Sequence, residues 1–366
     1  MGDTKSLEEQ ISYVAEEFLE ASKNKEIVVV SHFDTDGISS AVIMAKSLKE
    51  LDKSFTLKIV KSLDEEFIYD LPKDKIILFL DLASGSLKHI EESRIQEVFI
   101  IDHHEITETI PKKVLIVNSE LHDKQKISSS SLVYLFCKKL GIKAPELAKL
   151  AILGMVGDTL EKQIEKLNNH ILEDGEIKRK RGLLIYPSTR PLNRVLEYCS
   201  RPYIPGVTGD IKGVIEILRE ANIAQKSGKH KCIIELDNEE MEKLTTQIML
   251  RNPKAKHSDI IGDIFLLKMF NKLEDAREIS AIVNACSRLG DSATALKFLM
   301  EIPSAKKKAE ALYTRYKQSI IDALKFTNEI PKIQGSRFII INAKNQIEDT
   351  IIGTIVDVLF NGWLIN

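Results

Sequence analysis

Three imidazoles and five carboxylates stand where apolar runs end in the first half of the chain. Val98-Phe99-Ile100-Ile101 leads straight into Asp102-His103-His104, and Ile27-Val28-Val29-Val30-Ser31 leads into His32-Phe33-Asp34-Thr35-Asp36-Gly37. Residues 76–80 deliver Asp81, and the apolar stretch 144–158 closes on Gly157-Asp158. Singly, each aspartate reads as a turn or helix cap. Their recurrence at four strand or helix ends outweighs that reading. Five carboxylates aimed at one place repel one another unless cations neutralise them. A mixed oxygen and imidazole set suits two Mn²⁺, with Fe²⁺, Co²⁺ or Zn²⁺ as alternatives, better than an all-oxygen Ca²⁺ cage. Two such ions about 3.5–4 Å apart that share a carboxylate activate water for in-line attack on a phosphoryl group.

Distant residues meet in this way only if the strands lie side by side. Residues 6–23 carry helical periodicity, and 27–31, 56–60, 76–80, 97–101 and 114–117 read as strands. Helices are predicted at 38–51, 87–94, 130–140 and 144–158. This alternation predicts an α/β fold with a mostly parallel sheet, in which groups at the carboxyl ends of strands share one crevice. Gly37 is expected where backbone approaches bound phosphate, since it has no Cβ.

The remainder is organised differently. Lys178-Arg179-Lys180-Arg181 reads as a solvated helix face rather than a nucleic-acid contact. A segment rich in Pro and Gly follows, bearing Arg190, Arg194, Arg201, Tyr198 and Tyr203. A smaller α/β unit is then predicted, opening with a strand at 232–236 and a helix after Asn238, continuing through 260–267 and 276–289, and ending with a long helix near 306–328, a strand at 337–341 and a last helix at 349–360. The boundaries expected are 1–175, a helical and loop connector over 176–230, and 231–366.

Composition bounds the partners. The 366 residues carry a net charge of −2, so nothing attracts polyanions globally, and a nucleic-acid strand needs a local basic groove or bound metal. Cys137, Cys199, Cys232 and Cys286 are too far apart for a close-paired zinc site. His89, His122, His170, His230 and His257 are read as packed or surface residues. No apolar run reaches a membrane span and no secretory signal opens the chain, so a cytoplasmic protein without membrane contact is expected.

The ordered set His32-x-Asp34-x-Asp36-Gly37, Asp81-Leu82-Ala83-Ser84-Gly85, Asp102-His103-His104 and Gly157-Asp158 resembles motifs I to IV of the DHH phosphoesterase superfamily. Similarity to its archaeal RecJ-like nucleases, of the GINS-associated or helicase-associated type, extends through 186–192, 203–209, 284–290 and 342–357. The resemblance implies metal-dependent, Mn²⁺-preferring hydrolysis of single-stranded DNA or RNA from an end, with Mg²⁺, Co²⁺ or Zn²⁺ as alternatives, in DNA replication or repair. It implies that His32, Asp34 and Asp81 hold one ion and that Asp36, Asp81, His103 and Asp158 hold the other. His104 then contacts the scissile phosphate, Asp102 orients the site, and Arg190 and Arg288 grip the strand. Arg194 and Arg201 add positive charge beside them, and Tyr198 and Tyr203 offer stacking surfaces. A GINS complex or a repair helicase is the implied protein partner. The last part, 231–366, resembles a DHHA1 substrate domain that stops before its Gly-Gly-Gly-His loop, and Ser287 stands where relatives carry Gly. Two other functions compete: a phosphodiesterase for short oligonucleotides or cyclic dinucleotides, and a replisome scaffold binding helicase components.

Overall fold

The computed structural model describes residues 6–122, 125–162, 164–199, 202, 204–225, 228–253 and 256–362. The first half alternates helices and strands: α1 (Leu7–Ala21), β1 (Ile27–His32), α2 (Thr35–Glu50), β2 (Phe55–Val60), α3 (Glu65–Tyr69), β3 (Ile76–Leu80), α4 (Leu87–Glu92), β4 (Glu97–Asp102) and β5 (Val114–Asn118). Helices α5 (Ser129–Lys139), α6 (Ala148–Gly157) and α7 (Lys166–Asp174) complete it. All pairings in this sheet are parallel, in the order β2-β1-β3-β4-β5. The chain moves one way from β1 to β2 and the other way from β1 to β3. A crevice therefore opens at the carboxyl ends of β1 and β3.

Burial on both faces explains the continuous apolar runs of β1, β3 and β4. On one face Val28, Val30, Ile77, Phe79, Val98 and Ile100 pack with Ile68, Leu71, Leu87 and Ile90. On the other, Phe18 of α1 meets Phe99 of β4 edge-on at 5.1 Å and Phe136 of α5 at 5.6 Å. Helices α2, α5 and α6 pack on one another. Every residue of α2 from Thr35 to Ala45 is buried, so its first turn is fixed on all sides.

Beyond α7 come β6 (Lys178–Leu183), α8 (Leu192–Glu197), α9 (Ile211–Glu220), α10 (Asn238–Arg251), α11 (His257–Ile260), β7 (Ile261–Met269) and β8 (Lys272–Asp275). Then follow α12 (Ala276–Arg288), α13 (Ser292–Leu299), α14 (Pro303–Glu329), β9 (Ile333–Gln334), β10 (Ile339–Ile340) and α15 (Asp349–Gly362). Strands β6, β7 and β8 form a small sheet in that order. The α/β class with a mostly parallel sheet is as expected. Among the described residues no helix is long and apolar enough to cross a membrane.

Three local expectations are overturned. Lys178–Arg181 belongs to strand β6, not to a helix, because four adjacent cations repel one another on a helical turn, whereas a sheet partner is available and alternates them between two faces. The strand expected at 232–236 is a single turn, Ile233–Glu235. There Glu235 folds back to take the Cys232 N–H at 2.7 Å. The strand expected at 337–341 shrinks to Ile339–Ile340 paired with Ile333–Gln334.

Contacts divide the chain into two compact units. One comprises the chain up to Arg179 with Phe265–Ser287 and Ser292–Ala305; the other comprises Lys180–Ile264, Arg288–Asp291 and the residues from Lys306 onward. Within the first, Lys149 of α6 pairs with Glu301 and donates to the Lys268 carbonyl at 3.1 Å, while Glu301 accepts the Phe270 N–H at 2.7 Å. α13 packs on α2. Late segments are thus built into the unit that carries the parallel sheet.

Candidate metal centre

The first metal-ligand candidates sit at the β1–α2 junction. Asp34 caps α2, accepting the Gly37 N–H at 3.0 Å through Oδ1. Its Oδ2 lies 3.1 Å from His32 Nδ1. Burial pushes the Asp34 carboxyl up, but His32 and the Gly37 N–H outweigh it and hold the group below its ordinary value. Asp36 is wholly buried and accepts the N–H groups of Ser129 at 2.7 Å and Ser130 at 3.0 Å. These amides open α5, where unpaired donors and the helix dipole favour a carboxylate. Burial and the nearby Asp158 charge still raise Asp36 to about 7.

Two glycines make this packing possible. A Cβ on Gly154 would fall 2.1 Å from Asp36 Oδ1 and 2.0 Å from Ser130 Oγ. A Cβ on Gly37 would fall 2.3 Å from the His32 carbonyl oxygen. Gly37 is therefore required by the turn itself, whatever else approaches its backbone.

Asp81 stands at the centre. It follows β3 in a left-handed conformation, φ 61°, and is 1% exposed. Neither carboxylate oxygen accepts a hydrogen bond. Around it are His32 Nδ1 at 3.5 Å, His103 Nε2 at 3.6 Å and His104 Nδ1 at 3.9 Å. Burial and then the charges of Asp36, Asp34, Asp158 and Asp102 push its carboxyl far above the ordinary range. A buried carboxylate without donors costs several kcal/mol unless a cation supplies the missing interaction.

Three sets of side chains bring potential ligand atoms within 4.8 Å of one another: His32, Asp34 and Asp81; Asp36, His103 and Asp158; and Asp81, His103 and His104. Carboxylates and imidazoles in this proportion fit Mn²⁺ or a similar divalent ion.

Asp102 plays another part. Its Oδ1 accepts the N–H of His103 at 2.8 Å, that of His104 at 3.3 Å, and pairs with His104 Nδ1 at 2.7 Å; its Oδ2 accepts the Ser84 N–H at 3.1 Å. Burial opposes its charge, yet the hydrogen bonds from His104 and Ser84 hold its carboxyl at about 2. Asp102 in turn raises the proton affinity of His104. His103 is turned to Asp158, with Nε2 3.1 Å from Oδ2; burial lowers its proton affinity, but Asp158 and Asp36 carry it to about 9. Asn118, at the end of β5, donates to Ser84 Oγ and to the His104 carbonyl, both at 2.9 Å.

Residues 26–155 match the model of the DHH family, N-terminal domain, and residues 185–259 that of the DHH-CID domain. The chain belongs to the DHH superfamily. A relative in Methanocaldococcus jannaschii, an uncharacterized protein, is 27% identical over 314 residues, covering 82% of this chain and 69% of its own length. Among solved structures, Cdc45 from Entamoeba histolytica superposes with a TM-score of 0.62 at 13% identity, covering 89% of this chain and 75% of that one. Exonuclease RecJ bound to manganese superposes with a TM-score of 0.52 at 16% identity, covering 88% and 69%. At these identities the likeness is one of fold, and the fold of this DHH protein is RecJ-like.

The seven side chains named for metal or phosphate in this DHH protein, His32, Asp34, Asp36, Asp81, His103, His104 and Asp158, converge in the first unit with Asp102, named to orient the site. Arg190 and Arg288 belong to the second. Arg288 donates to Tyr316 Oη at 2.6 Å and Thr354 Oγ1 at 2.8 Å, so its guanidinium is already engaged within the second unit. Arg190 and Tyr198 are exposed, and Arg194 pairs with Glu197 at 3.5 Å. Arg201 and Tyr203 lie outside the described residues.

The supporting residues Ser84, Asn118, Ser129 and Ser130 were not legible as such. Ser129 and Ser130 open α5, and the amides they expose there receive Asp36.

Proposed function

We propose that this protein is a metal-dependent phosphodiesterase that removes nucleotides from an end of single-stranded DNA or RNA. The observation that carries the reading is the buried carboxylate of Asp81, which lacks hydrogen-bond donors and lies within 3.9 Å of three imidazoles. In this proposal His32, Asp34 and Asp81 hold one divalent ion, and Asp36, Asp81, His103 and Asp158 hold a second. Mn²⁺ is the ion we favour, on the strength of the donor set and of the RecJ-like fold. When bound, such ions activate water and neutralise charge on a phosphoryl group.

The chain's own residues have separable tasks. Asp36 is kept in place by the α5 amides and Asp34 by the Gly37 N–H. Asp102 occupies Nδ1 of His104, which leaves Nε2 of a half-exposed imidazole for a phosphoryl oxygen. Raised proton affinity suits that imidazole to donate. Arg190 and Arg288, both in the second unit, are the strand contacts we propose. We assign catalysis to 1–175, with the late segments 265–287 and 292–305 built into the same unit, 176–230 as connector and the rest of 231–366 as the substrate-binding part. Replication or repair is the proposed setting, with the GINS complex or a repair helicase as partner.

The test is a time course on single strands of DNA and RNA labelled at either end, with Mn²⁺ and Mg²⁺ compared. Mononucleotide release from one end, lost in Asp81→Ala, is expected. Equal release by wild type and Asp81→Ala, or internal cutting that shortens both labels alike, overturns the proposal. Faster turnover of dinucleotides than of long strands would instead support the short-oligonucleotide reading. A scaffold reading draws on the fold shared with Cdc45, and it requires no stoichiometric metal. Elemental analysis of purified protein separates the two.

A further inference from the structure

We infer that α12 is a clamp on the metal centre, with Asn284 and Ser280 as positioning residues. This rests on the proposed metal site. It assigns a role there to a helix outside both matched segments, 26–155 and 185–259.

Arg277, Ser280 and Asn284 lie at i, i+3 and i+7 on α12, which brings them to one face of the helix. That face meets two of the ligand-bearing segments. Asn284 Oδ1 accepts the Thr35 N–H at 3.0 Å, and Thr35 Oγ1 lies 3.1 Å from the Ser280 carbonyl and 3.0 Å from Ser280 Oγ. Thr35 is the residue between Asp34 and Asp36. Its N–H is one of the first donors of α2, which the helix cannot satisfy internally. Arg277 donates to Glu161 at 2.9 Å, three residues past Asp158, in a largely buried ion pair.

The two segments also touch at the clamp. A Cβ on Gly157 would fall 2.8 Å from Thr35 Cβ and 3.6 Å from Ser280 Oγ. Thr35, Gly157 and Ser280 thus form one junction, with candidate ligands next to it in both strands of chain. Sites of this kind work only when ligands are held to about 0.5 Å. Without the Asn284 acceptor the buried Thr35 N–H has no partner, and the segment bearing Asp34 and Asp36 can shift to find one.

The experiment titrates metal-stripped full-length protein with Mn²⁺ by calorimetry and follows the Mn²⁺ electron paramagnetic resonance spectrum. Wild type is compared with Asp81→Ala, Asn284→Ala, Thr35→Val and Thr35→Ser. Weakening of Mn²⁺ affinity by about 10–100-fold is expected for Asn284→Ala and Thr35→Val, with an altered spectrum, since outer supports of metal ligands typically matter by that factor. Thr35→Ser keeps the hydroxyl and restores wild-type affinity. Thr35→Val is nearly isosteric, so the question stays open to test if Asn284→Ala fails to fold. Wild-type affinity and spectrum in Asn284→Ala and Thr35→Val, with binding lost in Asp81→Ala, overturn the clamp and leave the metal centre standing. Absence of Mn²⁺ uptake by wild type overturns both.

Discussion

The Asp102 carboxylate and the His104 imidazole meet at 2.7 Å through the same oxygen that accepts the His103 backbone N–H. One aspartate thereby orients the His104 ring and fixes the His103 backbone while standing apart from the orphaned carboxylate of Asp81.

Asp102→Asn tests that division of labour. The amide oxygen still accepts hydrogen bonds, but the negative charge that raises His104 is gone. A donor acts below its own pKa, so the alkaline limb of the rate profile should move to lower pH. Turnover should fall on the order of 10–100-fold, the usual effect of losing a ligand-orienting partner. Mn²⁺ stoichiometry should be unchanged; measuring rate against pH alongside metal content checks both.

Asp81→Asn should act in opposite directions on two quantities. Metal-free protein should gain about 1–3 kcal/mol, because a buried carboxyl that must either take up a proton or stand charged without donors is replaced by a neutral amide. The stabilisation that Mn²⁺ confers on wild type should vanish. Chemical denaturation with and without Mn²⁺ reads both, and a loss of metal-free stability would contradict the account of Asp81.

The titration of the cluster sets a pH dependence with a definite sign. His103 is raised from 6.5 to about 9, so its contribution to metal-free stability is complete below 6.5 and lost as pH rises through 9. Asp36 is raised from 3.8 to about 7, so its folded form also loses stability as pH climbs through that interval. Metal-free protein should therefore melt lower at pH 9 than at pH 6. Mn²⁺ displaces these protons, so its affinity should rise over the same range. Calorimetry in buffers of different ionisation heat should detect net proton release.

Gly154→Ala should disrupt the centre from behind. The added methyl would meet Asp36 Oδ1 at 2.1 Å, forcing the carboxylate off the α5 amides. A loss of about 1–3 kcal/mol is expected for such overpacking, with weaker Mn²⁺ binding. Gly85→Ala, which meets nothing within 4 Å, is the matched control.

Much of the centre was legible in the chain because a parallel sheet imposes its own geometry. Apolar runs ending in Asp or His at β1, β3 and β4 could only deliver those groups to one edge, and α6 brought Asp158 to it. What could not be read was anything that depends on a neighbour remote in sequence. Lys178–Arg181 reads as a charged helix face until a sheet partner is known, and the His32 carbonyl that leaves no room for a Cβ at Gly37 appears only in the folded turn. The Asn284 contact to Thr35 spans 249 positions. Local propensity and periodicity placed the ligands on their strands, since those are short-range properties. The supports that hold them, from Ser129 to Asn284, were decided only by tertiary packing, because a hydrogen-bond partner is chosen by proximity in space.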